Sequence, residues 1–123
     1  MYEITVRSKF SAAHQIRGYG GKCEELHGHN WAVEATVQSP GINETGMVMD
    51  FAQLKKVLGK VLEEFDHKFI NDLPQFKEIN PTSENIARLI YKSLEKAVTA
   101  QNIGLSSVTV WESDTSWATY SEQ

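Results

Sequence analysis

The sequence predicts an α+β fold in which two helices pack on one face of a four-stranded antiparallel sheet. Alternating apolar and polar residues indicate two strands near the start of the chain and two near its end, and apolar residues at helical spacing indicate two helices between them. This grouping, with short connections, is typical of α+β domains. We expect residues 1–123 to form one domain, because the chain is long enough for one core and too short for two.

The first two predicted strands carry histidines on their apolar faces. In the first strand, which begins at Tyr2, the apolar residues share one parity, and His14 has the same parity near the strand end. The second strand begins at His27, and the apolar residues that follow share the parity of His27 and His29. All three histidines are therefore expected to face the core side of the sheet.

The middle and the end of the chain supply the remaining elements. Asp50 is a suitable N-cap for a first helix, whose apolar stripe predicts an end near Asp66. The segment Pro81-Thr82-Ser83 is typical of a helix start and opens the second helix. Alternation then predicts a third strand with Glu112 on its apolar face, and a fourth around Trp117–Tyr120.

Composition and charge exclude several classes of partner. The formal net charge is −4 and no stripe of Lys or Arg is present, which argues against nucleic acid and anionic membranes. Cys23 is the only cysteine, so an intrachain disulfide is excluded and a reducing compartment is favoured. The chain shows no signal peptide and no membrane-spanning run, and we expect it to be cytoplasmic.

The three histidines form a candidate metal site. His27 and His29 are two residues apart, so their side chains project from the same face of a strand and can hold one metal ion between them. His14 is the third candidate ligand. Zinc is favoured because imidazole suits it, and three protein ligands with one open position are the pattern of catalytic zinc sites.

Other polar residues have both catalytic and structural interpretations. His67 can complement the dipole at a helix end, or Asp66 can orient it as a catalytic base. Cys23 can act as a reactive thiolate near the metal, or it can be a fourth ligand that closes a structural zinc site. Glu112 occupies an apolar parity where a carboxylate needs a partner, and it could accept two parallel N–H groups of a planar nitrogen heterocycle.

Several spaced motifs resemble the 6-pyruvoyltetrahydropterin synthase and 6-carboxytetrahydropterin synthase family. The resemblance covers essentially the whole chain, and the motifs occur in the family's order. They are Phe10-Ser11-Ala12-Ala13-His14, Cys23-x-x-x-His27-Gly28-His29, Asp50-Phe51, Asp66-His67, Pro81-Thr82-Ser83-Glu84-Asn85 and Val110-Trp111-Glu112. This resemblance implies the tunnelling fold, whose members assemble as trimers, commonly stacked into hexamers, in which the sheets close a barrel.

The resemblance also implies roles for individual residues. His14, His27 and His29 would bind zinc, and the enzyme would be a lyase that acts on a reduced pterin triphosphate. Cys23 would be the thiol base, with Asp66 and His67 of a neighbouring subunit as its partners. Glu112 would anchor the pterin ring, Thr82 would line its pocket, and Lys22 would contact the triphosphate.

The resemblance leaves the product open among three reactions. We expect 7,8-dihydroneopterin triphosphate to be converted to 6-carboxytetrahydropterin, acetaldehyde and triphosphate, on the route to queuosine and related 7-deazapurines. The pyruvoyl-forming reaction uses the same residues. Glu24 beside Cys23 resembles relatives that cleave the side chain to 6-hydroxymethyldihydropterin for folate. The alternative that is not an enzyme is a zinc-stabilised binding module.

Overall fold

The computed structural model describes residues 1–18, 25–99 and 103–122. Its strands and helices, in chain order, are β1 (Tyr2–His14), β2 (His27–Ser39), α1 (Phe51–Leu62), β3 (Lys68–Phe69), α2 (Ser83–Thr99), β4 (Gly104–Ser113) and β5 (Ser116–Tyr120). Two short 3₁₀ turns, Ile70–Asp72 and Pro74–Phe76, connect β3 to α2. The predicted α+β class is confirmed.

The sheet has five strands in the order β3-β1-β2-β4-β5, so the prediction of four strands was wrong. The additional strand, β3, has two residues and pairs in parallel with Ala12 and Ala13 of β1, whereas the other pairings are antiparallel. A two-residue strand has no alternation to detect, since one hydrophobic period already spans two residues. Its position follows from the main-chain N–H of His67, which donates to Ser11 O at 2.6 Å.

Both helices cover the apolar face of the sheet. Helix α1 packs against β1, and α2 packs against β4 and β5. The inward side chains of β1, β2 and β4 join those of the helices in one core, which includes Phe10, Trp31, Val33, Leu54, Leu58, Ile86, Ile90, Leu94 and Val110. The face that carries the histidines is therefore the face that the helices bury.

Helix α1 begins as predicted and ends earlier. The Asp50 carboxylate accepts a hydrogen bond from Ala52 N at 2.8 Å, which caps the first turn. The helix ends at Leu62, and turns continue to His67. Phe65 remains buried in these turns at 3% exposure, which extends the apolar period beyond the helix itself.

Two asparagine amides fix the segment that follows β1. Asn71 accepts from Gln15 N at 2.8 Å and donates to Gln15 O at 2.7 Å. Asn80 does the same for Arg17, at 2.8 and 2.9 Å. Each amide thus satisfies one residue's N–H and C=O, as a neighbouring strand would, and the chain beyond His14 is held against the loop before α2.

We predict that Asn71→Leu lowers the free energy of unfolding by about 1–3 kcal/mol, because it leaves the N–H and C=O of Gln15 without these partners. Urea denaturation followed by circular dichroism measures the change. Asp72→Ala is the matched control, since Asp72 is the exposed neighbour in the same turn. A loss below about 0.5 kcal/mol in Asn71→Leu would show that water replaces the amide at no cost.

Candidate active site

Strand register brings the three histidines together. His14 of β1 lies opposite His27 of β2, and Ala12 lies opposite His29. Partners in an antiparallel pair project to the same face, so all three imidazoles leave the sheet on one side. The ring centroids of His14 lie 4.6 Å from His27 and 5.2 Å from His29, and those of His27 and His29 are 4.3 Å apart.

Glu112 joins these histidines from β4. Its Oε1 atom lies 3.1 Å from His14 Nε2 and 3.5 Å from His29 Nε2. The Nε2 atoms of His14 and His27 are 3.0 Å apart. One ligand atom from each of these four residues lies within 4.8 Å of all the others. The structure therefore brings together three predicted metal ligands and a carboxylate, a group that could bind a metal ion.

Backbone carbonyls orient two of the rings for metal binding. Pro81 O lies 2.8 Å from His14 Nδ1, and Glu25 O lies 2.9 Å from His27 Nδ1. A carbonyl oxygen can only accept, so each Nδ1 carries the hydrogen and each Nε2 is left to bind a proton or a metal ion. The two Nε2 atoms are 3.0 Å apart, so the lone pairs of two neutral rings would repel each other unless a cation lies between them.

The group fits a transition-metal ion such as zinc. Imidazole nitrogens and a carboxylate oxygen are zinc ligands, and two ligand atoms of a tetrahedral zinc ion lie roughly 3.3 Å apart. The short contacts in the group are close to that separation. Hydrogen bonds from the outer ring nitrogens to carbonyls are the usual support of metal-bound histidines.

Trp31 supports the site by packing against two of the histidines. It is fully buried, and its ring centroid lies 4.7 Å from that of His14 and 5.3 Å from that of His29. Its Nε1–H donates to Ala12 O at 3.3 Å, which holds the indole against β1. Trp31 was not among the predicted site residues, although its parity with His29 was a usable signal.

Asp66 and His67 form a separate pair that is also attached to β1. The Asp66 carboxylate accepts from Ser11 N at 2.9 Å, and its second oxygen lies 3.6 Å from His67 Nε2. The side chain of His67 is 81% exposed, and its backbone has a φ of +57°, a conformation that is uncommon outside glycine. Strain of this kind is concentrated at functional positions.

An open cavity of about 520 Å³ borders both His29 and His67. Its size falls in the usual range for small-molecule sites. The other lining residues are Ser11, Ala12, Ala13, Gly28, Asn30, Lys68 and Phe69. His67 therefore lies outside the metal-binding group, but it lines the same cavity as His29, which belongs to that group.

Of the remaining predicted site residues, Thr82 lies in the described part of the chain. Thr82 is half-buried, follows Pro81, and its hydroxyl accepts from Asn85 N at 3.1 Å, which caps α2. Lys22, Cys23 and Glu24 lie outside the described residues, so their predicted roles stay predictions.

Comparison with known proteins identifies the family. A sequence model described as 6-pyruvoyl tetrahydropterin synthase matches residues 3–123. The chain belongs to the 6-pyruvoyl tetrahydropterin synthase family. The family predicted from the motifs is therefore confirmed.

Relatives within the 6-pyruvoyl tetrahydropterin synthase family carry more than one activity name. The chain is 41% identical over 125 residues to 6-carboxy-5,6,7,8-tetrahydropterin synthase of Synechocystis, covering 98% of this chain and 93% of the relative. It is 38% identical over 109 residues to dihydroneopterin monophosphate aldolase of Pyrococcus furiosus, covering 89% and 88%. The structure of 6-pyruvoyl tetrahydropterin synthase from Caenorhabditis elegans matches with a TM-score of 0.86 at 29% identity, covering 99% and 96%.

Neither α1 nor α2 combines the length and the apolar character that crossing a bilayer requires.

We predict that His14→Ala lowers metal content to well below one ion per chain, because it removes a buried ligand from the centre of the group. Metal content of protein purified with added zinc is measured by mass spectrometry after dialysis. His67→Ala is the control and should keep the wild-type content, since His67 is not part of the group. Equal metal loss in both variants would place the ion elsewhere.

Proposed function

We propose that this chain is a zinc-dependent 6-carboxy-5,6,7,8-tetrahydropterin synthase, a cytoplasmic lyase of the queuosine and 7-deazapurine pathway. It converts 7,8-dihydroneopterin triphosphate and one water molecule to 6-carboxytetrahydropterin, acetaldehyde and triphosphate. The observation that carries the proposal is the convergence of His14, His27, His29 and Glu112 in a chain of this family. The relative in Synechocystis that carries this activity name supports the choice of product.

Zinc would be held by His14, His27 and His29. Pro81 O and Glu25 O support this assignment, because they direct the Nε2 lone pairs of His14 and His27 to a common point. When bound, zinc would act as a Lewis acid that polarises oxygens of the substrate side chain. Burial of His14 against Trp31 keeps the ligands in place before substrate arrives.

Proton transfer is assigned to Cys23 and to the Asp66–His67 pair. Cys23 removes a proton from a carbon of the substrate side chain and returns one later in the reaction. His67 receives and supplies these protons, and Asp66 orients its ring. The hydrogen bond from Ser11 N supports this role, since it holds one oxygen of Asp66 while the other faces His67.

Recognition of the substrate is assigned to three further residues. Glu112 accepts hydrogen bonds from the N–H edge of the pterin ring, and Thr82 lines the ring pocket next to Pro81. Lys22 contacts the triphosphate. The position of Glu112 beside the histidines supports its assignment to the same site, and its side chain is 38% exposed, so substrate can reach it.

We assign the active sites to subunit interfaces in a trimer or a dimer of trimers. In this arrangement Cys23 and the zinc ligands of one subunit face Asp66 and His67 of a neighbour. The outer edge of β1 supports assembly. Strand β1 has thirteen residues, and β3 pairs with only two of them, Ala12 and Ala13, so most of this edge is not covered by β3. Closing sheets into a barrel removes such edges.

A second candidate is cleavage of the dihydroneopterin side chain to 6-hydroxymethyldihydropterin. The relative named dihydroneopterin monophosphate aldolase supports it, as does Glu24 beside Cys23. Pyruvoyl formation is the third candidate, and a non-catalytic zinc-stabilised binding module is the fourth.

Incubation of the zinc-loaded protein with 7,8-dihydroneopterin triphosphate should yield 6-carboxytetrahydropterin and acetaldehyde in equal amounts. Mass spectrometry identifies the pterin, and derivatisation quantifies the aldehyde. A pyruvoyl or hydroxymethyl product would replace the proposed reaction with the corresponding alternative. No product, together with a Cys23 thiol that is protected from alkylation until zinc is chelated, would support the binding module.

Mixing two inactive variants should restore activity if the site spans two subunits. Cys23→Ala and His67→Ala are each expected to bind zinc and to lose turnover. In oligomers formed at random from equal amounts of both variants, about one quarter of the sites combine an intact Cys23 with an intact His67. Roughly a quarter of wild-type turnover should therefore return after co-refolding.

Two controls define the mixing experiment. Cys23→Ala co-refolded with His27→Ala should stay inactive, because both changes fall in the half-site supplied by one subunit. No recovery in the Cys23→Ala and His67→Ala mixture would mean that all these groups act within one chain. Loss of zinc in Cys23→Ala would instead make Cys23 a ligand.

A further inference from the structure

The cavity that His67 lines opens on the face of the sheet that the helices leave uncovered. Its volume is about 520 Å³, and its lining includes Ser11 of β1 and Asn30 of β2, which lie opposite each other in register. Both residues have the parity opposite to that of the buried side chains on their strands. Since alternate side chains of a strand project to opposite faces, Ser11 and Asn30 leave the sheet on the side away from the metal-binding imidazoles.

Gly28 leaves open volume in this cavity, and nothing in the described fold requires a glycine at its position. It pairs with Ala13 in an unbroken part of the ladder, and its φ is not positive. Among the described residues, a Cβ atom built on Gly28 would meet only Ala12 O, at 4.0 Å. Glycine weakens a strand and often marks a place where a ligand approaches closely. Gly28 is therefore explained by the cavity rather than by the fold.

Lys68 places a positive charge at this cavity. It directly follows His67, it is exposed, and it is one of the lining residues. Within the described part of the chain its ammonium forms one hydrogen bond, to Glu63 O at 3.5 Å, and no ion pair with a carboxylate. A hydrogen bond of this length is weak, so the ammonium can turn to a stronger acceptor.

Asn30 adds neutral donors to this charge. Its Oδ1 atom accepts from Ser11 Oγ at 2.6 Å, which leaves its amide hydrogens for a ligand. No carboxylate is among the described residues that line the cavity. The carboxylate of Asp66, beside His67, is held by Ser11 N at 2.9 Å. The cavity therefore presents a positive charge and hydrogen-bond donors, a combination that suits an anion.

The proposed substrate carries its anionic group close to the atoms on which His67 acts. Its side chain has hydroxyls at C1′ and C2′ and the triphosphate at C3′. When a proton leaves C2′, the electron pair of the C–H bond forms a C2′=C3′ double bond, and the triphosphate departs from C3′ with the electron pair of the C–O bond. A residue that exchanges protons with these carbons must lie within reach of them, and hence close to the triphosphate.

We propose that Lys68 is a phosphate-binding residue, and that the cavity over Gly28 receives the triphosphate of the substrate. This inference rests on the proposed function, in which His67 acts at the zinc site of a neighbouring subunit. Lys68 then contacts the substrate that the neighbour holds, and Asn30 donates to the same phosphates. Lysine binds phosphate as a compact point charge, and this contact adds to the one proposed for Lys22.

Inorganic tripolyphosphate tests this site without turnover, because it has the charge of the substrate's anionic group and no other part of the substrate. Calorimetry on the zinc-loaded protein should detect its binding. Lys68→Gln should weaken the affinity by about 10-fold or more, since a charged hydrogen bond to phosphate is lost. Lys56→Gln is the matched control and should bind as wild type does, because Lys56 is an exposed lysine of α1 that does not line the cavity.

Gly28→Ala is a second variant, and it separates the cavity from the fold. The added methyl group should lower the affinity for tripolyphosphate. The thermal midpoint should equal or exceed that of wild type, because no described atom opposes the new Cβ and alanine restricts the unfolded chain more than glycine does. A lower midpoint with unchanged affinity would show that the glycine serves the fold, and would contradict the proposed cavity.

Three results of the calorimetry would overturn the inference. Wild-type protein could fail to bind tripolyphosphate, or Lys68→Gln could bind it as tightly as wild type. Binding could also disappear when zinc is removed from the folded protein, which would place the anion at the metal. Zinc content is measured after each titration, because polyphosphates also bind free zinc.

Turnover separates this inference from the proposed function. Wild-type protein should have a higher kcat/KM for 7,8-dihydroneopterin triphosphate than for the monophosphate, and Lys68→Gln should lose most of that preference. Turnover with an equal preference in both proteins overturns the phosphate site and leaves the proposed function intact. Tripolyphosphate binding that depends on Lys68, without turnover of either substrate, supports the site and overturns the proposed reaction.

Discussion

The close approach of two imidazole nitrogens is the constraint on which this site depends. Pro81 O and Glu25 O fix hydrogens on the outer nitrogens, so the Nε2 atoms of His14 and His27 face each other at 3.0 Å. A cation between them is attracted to both nitrogens and removes the repulsion that two neutral rings would have. The register of β1 and β2 creates the arrangement, and a slip by one residue would send His27 and His29 to the opposite face of the sheet.

Long periodic elements could be predicted from the sequence, and short or irregular ones could not. Strands β1 and β2 have thirteen residues each, and their alternation is therefore unambiguous. Strand β3 has two residues and depends on a hydrogen bond from His67 N to Ser11 O, which leaves no pattern in the sequence. The predicted end of α1 was several residues late, because Phe65 is buried in the turns beyond Leu62.

The site was predictable where side-chain type carries the function. Three histidines on the apolar faces of two neighbouring strands predicted a metal site, and the structure brings all three together. The carbonyls of Pro81 and Glu25 could not be predicted, since every residue has a carbonyl and only the fold selects which one faces a ring. Alternation placed Glu112 on the apolar face of β4, and its carboxylate does lie beside the histidines, but the register shift between Trp111 and Ser113 at that point left no signal in the sequence.

The attachment of Asp66 to the end of α1 couples the helix core to the pair that it forms with His67. Asp66 N donates to Leu62 O at 3.1 Å, and Leu62 is itself buried in the core with Leu54 and Leu58. A displacement of α1 therefore carries the carboxylate with it, away from Ser11. Under the proposed function, substitutions beneath the helix would then lower activity in a genetic screen as active-site substitutions do, although they replace neither Asp66 nor His67. These substitutions should map to the buried face of α1, which carries Leu54, Leu58 and Leu62, rather than to its exposed face.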